Sequence, residues 1–296
     1  MLEIKDTIYS FSKNAKPVAR IKSGETIKFI TEDCFGGQIK SADKLVGAID
    51  WSNVNPATGP VYIEDAEPGD VIVVDILSID VKPQGIGCTI PGASIFDGET
   101  EIRTKVLEVK DGYVHFNDIK WPAKPMIGVI GCAPAGDDVV SGMAGNHGGN
   151  MDSKVITRGA KVYLPVRVKG GLLALGNLHA SMADGEMIGA GVEIAGEVVV
   201  TVSLIKDFKL NWPVTETTDS FYVNTTAPSC DEAIELGYRE IHRLLMKAYG
   251  WDFTDTAIYM SLQGDLCANQ TVLMSSWGYN IRVGTPKVPS KKRLIG

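Results

Sequence analysis

Two stretches set an imidazole beside carboxylates: "GNHGGNMDSK", Gly145 to Lys154, and "GNLHASMADGE", Gly176 to Glu186. The chain has 4 histidines in all, so two in such settings raise the question of a site. Continued through "MIGAGVE", the second stretch gathers Asn177, His179, Asp184, Glu186 and Glu193. Alternate residues of an extended chain share a face, so Asn177 points with His179 and Asp184 with Glu186. Gly185 between the two acids lets the backbone turn or approach a ligand closely. The first stretch adds His147, Asn150 and Asp152, in a loop whose glycines leave little side chain to fill a core; such loops are exposed or line cavities. Converged, the two stretches supply two imidazoles and two or three carboxylates, the donor set of a borderline divalent ion such as zinc. Their spacing follows no fixed metal motif of the H-E-x-x-H kind. Taken singly, each also reads as a hydrogen-bonded His–Asp pair or an Asp-Gly-Glu turn.

A third stretch, "TEDCFGGQI" from Thr31, places Asp33 and Gln38 around Gly36 and Gly37 at the end of an alternating strand, where the other reading is a hairpin turn. Cys34 and Cys132 are the thiols to weigh as nucleophiles, since a thiolate near a base attacks amides. Neither has a charged helper in its own stretch, and Cys132 sits in the apolar "VIGCAPAG", where a small buried thiol is the default. His115 in "YVHFND" reads as a strand residue. His242 reads as lying on a helix face opposite the apolar stripe.

The elements that must position these residues are mostly strands. Segments rich in Val, Ile, Thr and Tyr recur between Gly, Pro and Asp over roughly the first two hundred positions, the pattern of sandwiches and barrels. "GETIKFITED" and "KVYLPVRV" alternate apolar with polar and predict one wet face. "GDVIVVDILSIDV" and "GEVVVTVSLI" are more continuously apolar and predict burial on both faces. "CDEAIELGYREIHRLLMKAYG" breaks the pattern: its apolar residues fall at helical spacing, acids open it and Gly250 closes it, predicting a helix over 230–249. A shorter helix is predicted from Thr254 as cap to Gly264 as stop. The expectation is a mainly β fold, β-sandwich or jelly-roll-like. Residues 1–210 would carry most of the site, and 211–296 would form a smaller α+β portion packed intimately on them.

Composition bounds the function. The 296 residues, 44% hydrophobic, suffice for one large domain or two intimate ones, and a formal net charge of −7 argues against a polyanion partner such as nucleic acid. The N-terminus lacks a basic-then-apolar leader, and no apolar run is long enough to span a bilayer, so no membrane partner is expected. The 5 cysteines are odd in number and widely scattered with no C-x-x-C pair, which fits a reducing cytoplasm.

The strings "EDCFGGQI", "NPATGPVYIEDAEPGDVIVVDI", "GVIGCAPAG", "HGGNMDSKVITRGAKVYLPV", "GNLHASMADGEMIGAGVEIAGEV" and, more loosely, "QGDLCANQTV" resemble the acetamidase/formamidase family of small-amide hydrolases. The likeness runs from about Gly24 to Val283. It implies hydrolysis of formamide, acetamide or a similar small amide to carboxylate and ammonia, by a β-sandwich protein that self-associates as a homo-oligomer. Signature positions of the family fall on Asp33, Gln38, His147, Asn150, Asp152, His179, Asp184, Glu186 and Glu193. The chain departs from the family pattern at Asn177, where relatives usually carry Asp, and at Asn146, where Pro is frequent. Amide hydrolysis needs an activated water, a charge for the oxyanion and an acid for the leaving ammonia. On this footing His147, Asp152 and His179, with Asp33, are expected to hold a divalent ion, zinc first. Glu186 is the expected general base and later acid, with Asp184 orienting it or a ligating histidine. Asn150, Gln38 and Glu193 are the expected substrate contacts. The alternative is a catalytically decayed protein that binds a metal or small ligand on the same scaffold, with Asn177 as the mark of decay.

Overall fold

A computed structural model of the chain describes residues 1–272 and 278–296. Two sheets dominate it. A nine-stranded sheet runs Leu2–Ile4, Glu25–Thr31, Gly196–Ile205, Val71–Val81, Lys161–Pro165, Val214–Glu216, Ser220–Ala227, Tyr279–Pro286, Asp265–Gln270. A twelve-stranded sheet has Leu173–His179 near its middle, between Met126–Gly131 and the Glu193–Ile194 strand, with Ala57–Ile63 also paired to it. The sheets pack face to face. Ile27, Phe29, Val74, Ile76, Val198 and Val200 of the first share one buried cluster with Val61, Ile127, Ile130, Leu173, Leu175 and Leu178 of the second. The fold is mainly β with a small α+β portion toward the C-terminus.

A second core explains where the periodicity misleads. Tyr163, Val71 and Val73 join Phe221, Val223, Ile281, Val283 and the helix residues Ala233, Ile241, Leu244 and Leu245. Adjacent strand residues point to opposite faces, so Val162 and Leu164 serve the first core while Tyr163 serves the second. Lys161–Pro165, expected to have a wet face, is therefore buried beyond its first residue. Gly196–Ile205, expected to be buried on both faces, instead alternates buried with half-buried, because the helices do not reach its outer face. Val71–Val81 is buried at its start and alternates toward its end, for the same reason.

Helix α1 spans Cys230–Tyr249, capped by Ser229, which accepts from the Glu232 N–H at 3.2 Å, and stopped by Gly250 at φ 68°. Helix α2 spans Phe253–Gln263 and is capped by Asp252, accepting from the Asp255 N–H at 2.8 Å, with Thr254 already inside its first turn. Because α2 folds back on α1, the helix face expected to be wet is covered. His242 is buried, and its Nε2 lies 2.9 Å from the Phe253 carbonyl oxygen.

Candidate active site

The Leu173–His179 strand delivers its last residue into the site. His179 stands opposite Glu193 in the antiparallel register, and the pairing brings His179 Nε2 to 3.2 Å from Glu193 Oε1. Asn177, at φ 48°, places its Oδ1 3.1 Å from the same nitrogen and donates from Nδ2 to Asn150 Oδ1 at 3.2 Å. Asp152 arrives from the turn after Gly148–Asn150, with Met151 and Asp152 both donating backbone N–H to the Gly128 carbonyl. Its Oδ1 is 3.7 Å from His179 Nε2, and Glu186 Oε1 is 3.9 Å away. Gly128 is needed here: a Cβ on it would collide with Asp152 Oδ1 and the Asn177 amide. Gly191 is needed likewise, because a Cβ would sit 2.6 Å from His179 Nδ1.

Glu186 sits at φ 41° in the loop after this strand. The loop is pinned to the C-terminal part of the chain by a bridge in which Gly185 N–H donates to the Asn269 carbonyl and Thr271 N–H donates to the Gly185 carbonyl. The bridge brings in Gln270, whose Nε2 donates to Asp152 Oδ2 at 2.9 Å and to Glu186 Oε2 at 2.8 Å. Asn280 Nδ2 in turn donates to Gln270 Oε1 at 3.3 Å and to the Asn150 carbonyl at 3.2 Å, fixing which end of the Gln270 amide faces the acids. No charge or histidine marks Gln270 in the sequence, and it lies 118 residues from Asp152. The loosely matching "QGDLCANQTV" was its one signal.

Asp152, His179, Glu186 and Glu193 are all buried. Desolvation opposes charge on the His179 ring, but Glu193 by charge and hydrogen bond, then Glu186 and Asp152, raise its pKa well above the usual imidazole range. Desolvation, then the charge of Asp152, pushes Glu186 well above the carboxylate range; Asp152 is raised mainly by desolvation, against the charge of His179. The shifts of Asp152 and Glu186 favour their protonated forms and that of His179 its charged form, which brings proton exchange within the cluster toward neutrality. Every atom around His179 Nε2 at these distances is an oxygen, so that nitrogen carries a proton and donates.

Among the described residues, Asp152, His179 and Glu186 form a group whose donor atoms all lie within 4.8 Å of one another, close enough to hold a metal ion. Asp152 Oδ1, Glu193 Oε2 and His179 Nδ1 have no hydrogen-bond partner, although buried. One nitrogen and carboxylate oxygens at this spacing, with unused lone pairs, fit a divalent cation. A ligating imidazole must give up its Nε2 proton.

Above the cluster lies a cavity of about 220 Å³. Asn150, Asp152, Asn177, Glu186, Glu193 and Gln270 line it from one set of elements, and Tyr9, Cys34, Phe35, Trp51, Asn55 and Ser141 are among the rest of its lining. Glu186 also borders a larger cavity of about 690 Å³ that includes Met182, Met187 and Trp121 but is lined by neither Asp152 nor Glu193. Chemistry belongs with the smaller one.

Several expected site residues lie elsewhere. His147 adjoins Gly148, which pairs with Gly131, whereas His179 pairs with Met126 of the same strand. That separates their backbones by about 16 Å at ~3.3 Å per strand residue, so the two-histidine pocket does not form. The His147 ring packs edge-on to Phe11 with centroids 5.2 Å apart, and Gly145 and Gly149 leave the space it fills. Desolvation, with the nearby Arg167 charge, lowers its pKa to about 4. Asp33 turns its Oδ1 to the Phe35 and Gly37 N–H groups at 2.8 and 3.1 Å, closing its own loop. Gln38 clamps a second loop, donating to the Asp50 carbonyl at 3.1 Å and accepting from the Asp50 N–H at 2.8 Å. Asp184 is exposed and ion-paired to Arg282 at 2.8 Å and Lys154 at 2.7 Å; despite partial desolvation these hold its carboxyl below the usual range. Its role is to anchor the Glu186 loop to the C-terminal strand, not to touch the cluster. Cys34 borders the cavity, and burial drives its thiol pKa well up; Cys132 is fully buried away from it, its thiol likewise raised by desolvation.

Fold and site together define a β-rich enzyme with a buried acid–imidazole centre suited to proton transfer and to a divalent cation. The Acetamidase/Formamidase family model matches residues 9–141 and 135–237, and the chain belongs to that family of amide hydrolases. It is 28% identical to a formamidase from Methylophilus methylotrophus over 76% of this chain and 72% of that one. Its fold is similar to a crystal structure of an acetamidase from Bacillus halodurans, with TM-score 0.92, 35% identity, and 96% and 97% of the two chains covered. A protein described as a predicted acetamidase/formamidase from Thermoanaerobacter tengcongensis is similar at TM-score 0.92 and 40% identity, covering 96% of this chain and 95% of that one. Among the described residues no helix is long and apolar enough to cross a membrane.

Proposed function

We propose that this chain hydrolyses short aliphatic amides, formamide and acetamide first, to carboxylate and ammonia in the cavity above Asp152, His179 and Glu186. The observation that carries the reading is the buried cluster itself: three mutually adjacent donors, Asp152, His179 and Glu186, and a third acid, Glu193, beside a cavity of about 220 Å³. A space that small suits an amide of a few heavy atoms and a water. Glu186, its carboxyl raised by desolvation and by Asp152, takes the proton of the attacking water and returns it to the departing nitrogen. The protonated ring of His179, held charged by its acid neighbours, carries the positive charge that the developing oxyanion requires, and Gln270 holds the Asp152 and Glu186 carboxyls at fixed separation. Glu193 fixes the His179 ring through Oε1, while its Oε2, buried without a partner, borders the cavity beside Glu186. Asn150 lines the cavity as a substrate contact.

Asp152, His179 and Glu186 would hold a divalent ion, zinc by the donor set. An ion bound there would supply Lewis-acid chemistry, lowering the pKa of a water and polarising the carbonyl. The five unpaired cysteines support a reducing cytoplasm. Exposed Ile95, Phe96, Ile102 and Met187 support a homo-oligomer. The second core, drawn mostly from residues after 207 but joined by Val71, Val73 and Tyr163, supports a C-terminal portion beginning near residue 210 and packed intimately on the rest.

The test is ammonia release from formamide and acetamide by protein stripped with a chelator, before and after zinc is restored. The expected result is turnover that is lost on stripping and regained with zinc. Unchanged turnover in metal-free protein removes the ion from the reading, and no ammonia from either amide in any state overturns it.

A further inference from the structure

Buried polar side-chain atoms are nearly always hydrogen-bonded, so an unpartnered one bordering a cavity points to what the cavity takes. Of the unpartnered buried atoms among the described residues, two neutral ones belong to residues that line the active-site cavity: Asn55 Oδ1 and Ser141 Oγ. Their residues are 7% and 1% exposed. Neither belongs to the acid–imidazole cluster. Asn55 is held in the left-handed region at φ 50°, with its N–H donating to the Cys34 carbonyl at 2.7 Å. Ser141 is held by its N–H, which donates to the Tyr9 carbonyl at 2.9 Å. The two loops touch: a Cβ built on Gly142 would stand 3.0 Å from Asn55 Nδ2. Two fixed backbones thus present one amide oxygen and one hydroxyl without protein partners.

A primary carboxamide has the complementary groups, N–H donors on nitrogen and one carbonyl acceptor. Resting on the hydrolytic reading above, we infer that Asn55 and Ser141 are the substrate-recognition pair. The Asn55 Oδ1 accepts an N–H of the substrate amide, and the Ser141 hydroxyl donates to its carbonyl oxygen. The cavity thereby selects carboxamides over esters of the same size: an ester satisfies Ser141 but leaves Asn55 Oδ1 buried and unpaired, the arrangement by which sites reject isosteres that lack an N–H.

The experiment compares acetamide with methyl acetate in the wild-type protein, Asn55→Gly and Ser141→Ala. Glycine is chosen at 55 because it tolerates positive φ. Acetamide is read as kcat/KM for ammonia release, and methyl acetate as its competitive inhibition constant. Asn55→Gly is expected to lower the acetamide value by about tenfold, one hydrogen bond's worth, while methyl acetate binds more tightly, because the oxygen it left unpaired is gone. Ser141→Ala is expected to weaken both by about the same factor. A merely structural role for Asn55 would weaken both ligands together, so parallel losses in Asn55→Gly overturn the assignment, as does no change in either. A Ser141→Ala protein whose methyl acetate constant is unmoved overturns the other half. Wild-type protein that binds acetamide without releasing ammonia overturns the hydrolytic reading instead, and the same comparison is then read as dissociation constants by calorimetry.

Discussion

His147 gives a prediction whose size follows from its surroundings. Its ring is 2% exposed, its Nε2 has no partner, and its pKa is lowered to about 4 by burial and by Arg167. In the unfolded chain the ring takes its proton near pH 6.5. Between those values the unfolded state binds a proton that the folded state refuses. Stability contributed by the neutral buried ring is therefore present above the unfolded pKa and lost as pH falls toward the folded one, at up to ~1.4 kcal/mol per pH unit. At pH about 4.5 the accumulated loss is roughly 2.5 kcal/mol. His147→Gln removes the titration while keeping a polar side chain of similar reach, so the free-energy gap between wild type and variant should shrink by that amount between about pH 8 and 4.5. Urea unfolding of both proteins across that range is the assay. Stability curves that stay parallel within about 0.5 kcal/mol would refute the neutral buried ring, and with it the exclusion of His147 from the charged centre.

Gln270→Leu removes the donor shared by Asp152 and Glu186, leaving two buried carboxyl oxygens unpaired, so kcat should fall by at least tenfold and the melting temperature should drop; normal turnover would show that the bridge does not position the acids. Cys34→Ala and Cys132→Ala should retain amide turnover, because burial keeps both thiols protonated; loss of activity in either, with the fold intact by circular dichroism, would reinstate a thiol nucleophile. Asn177→Asp puts a carboxylate where Nδ2 now donates to Asn150 Oδ1. If the enzyme is competent as it stands, the change should leave turnover within a few-fold, and a large gain in ammonia release would show that Asn177 is the mark of decay.

The sequence by itself determined the local and periodic features: mainly β organisation, a helix over 230–249 with its opening acids and its stop at Gly250, and a family whose strings cover most of the chain. It also singled out His179, Asp152, Glu186 and Glu193, because strand alternation and glycine-flanked acids are written in neighbouring positions. Tertiary structure alone decided which candidates meet. His147 and His179 look equivalent in sequence, yet they attach to opposite ends of the Met126–Gly131 strand, a separation set by register that no local pattern encodes. Gln270 and Asn55 carry no charge and sit far along the chain from the acids, and they reach the cavity only because one strand bridges the Glu186 loop and another loop closes over it. That Lys161–Pro165 keeps no wet face was likewise fixed by the helices packing behind the sheet. Hydrophobic alternation reports that a face is to be covered, and only the fold says by what.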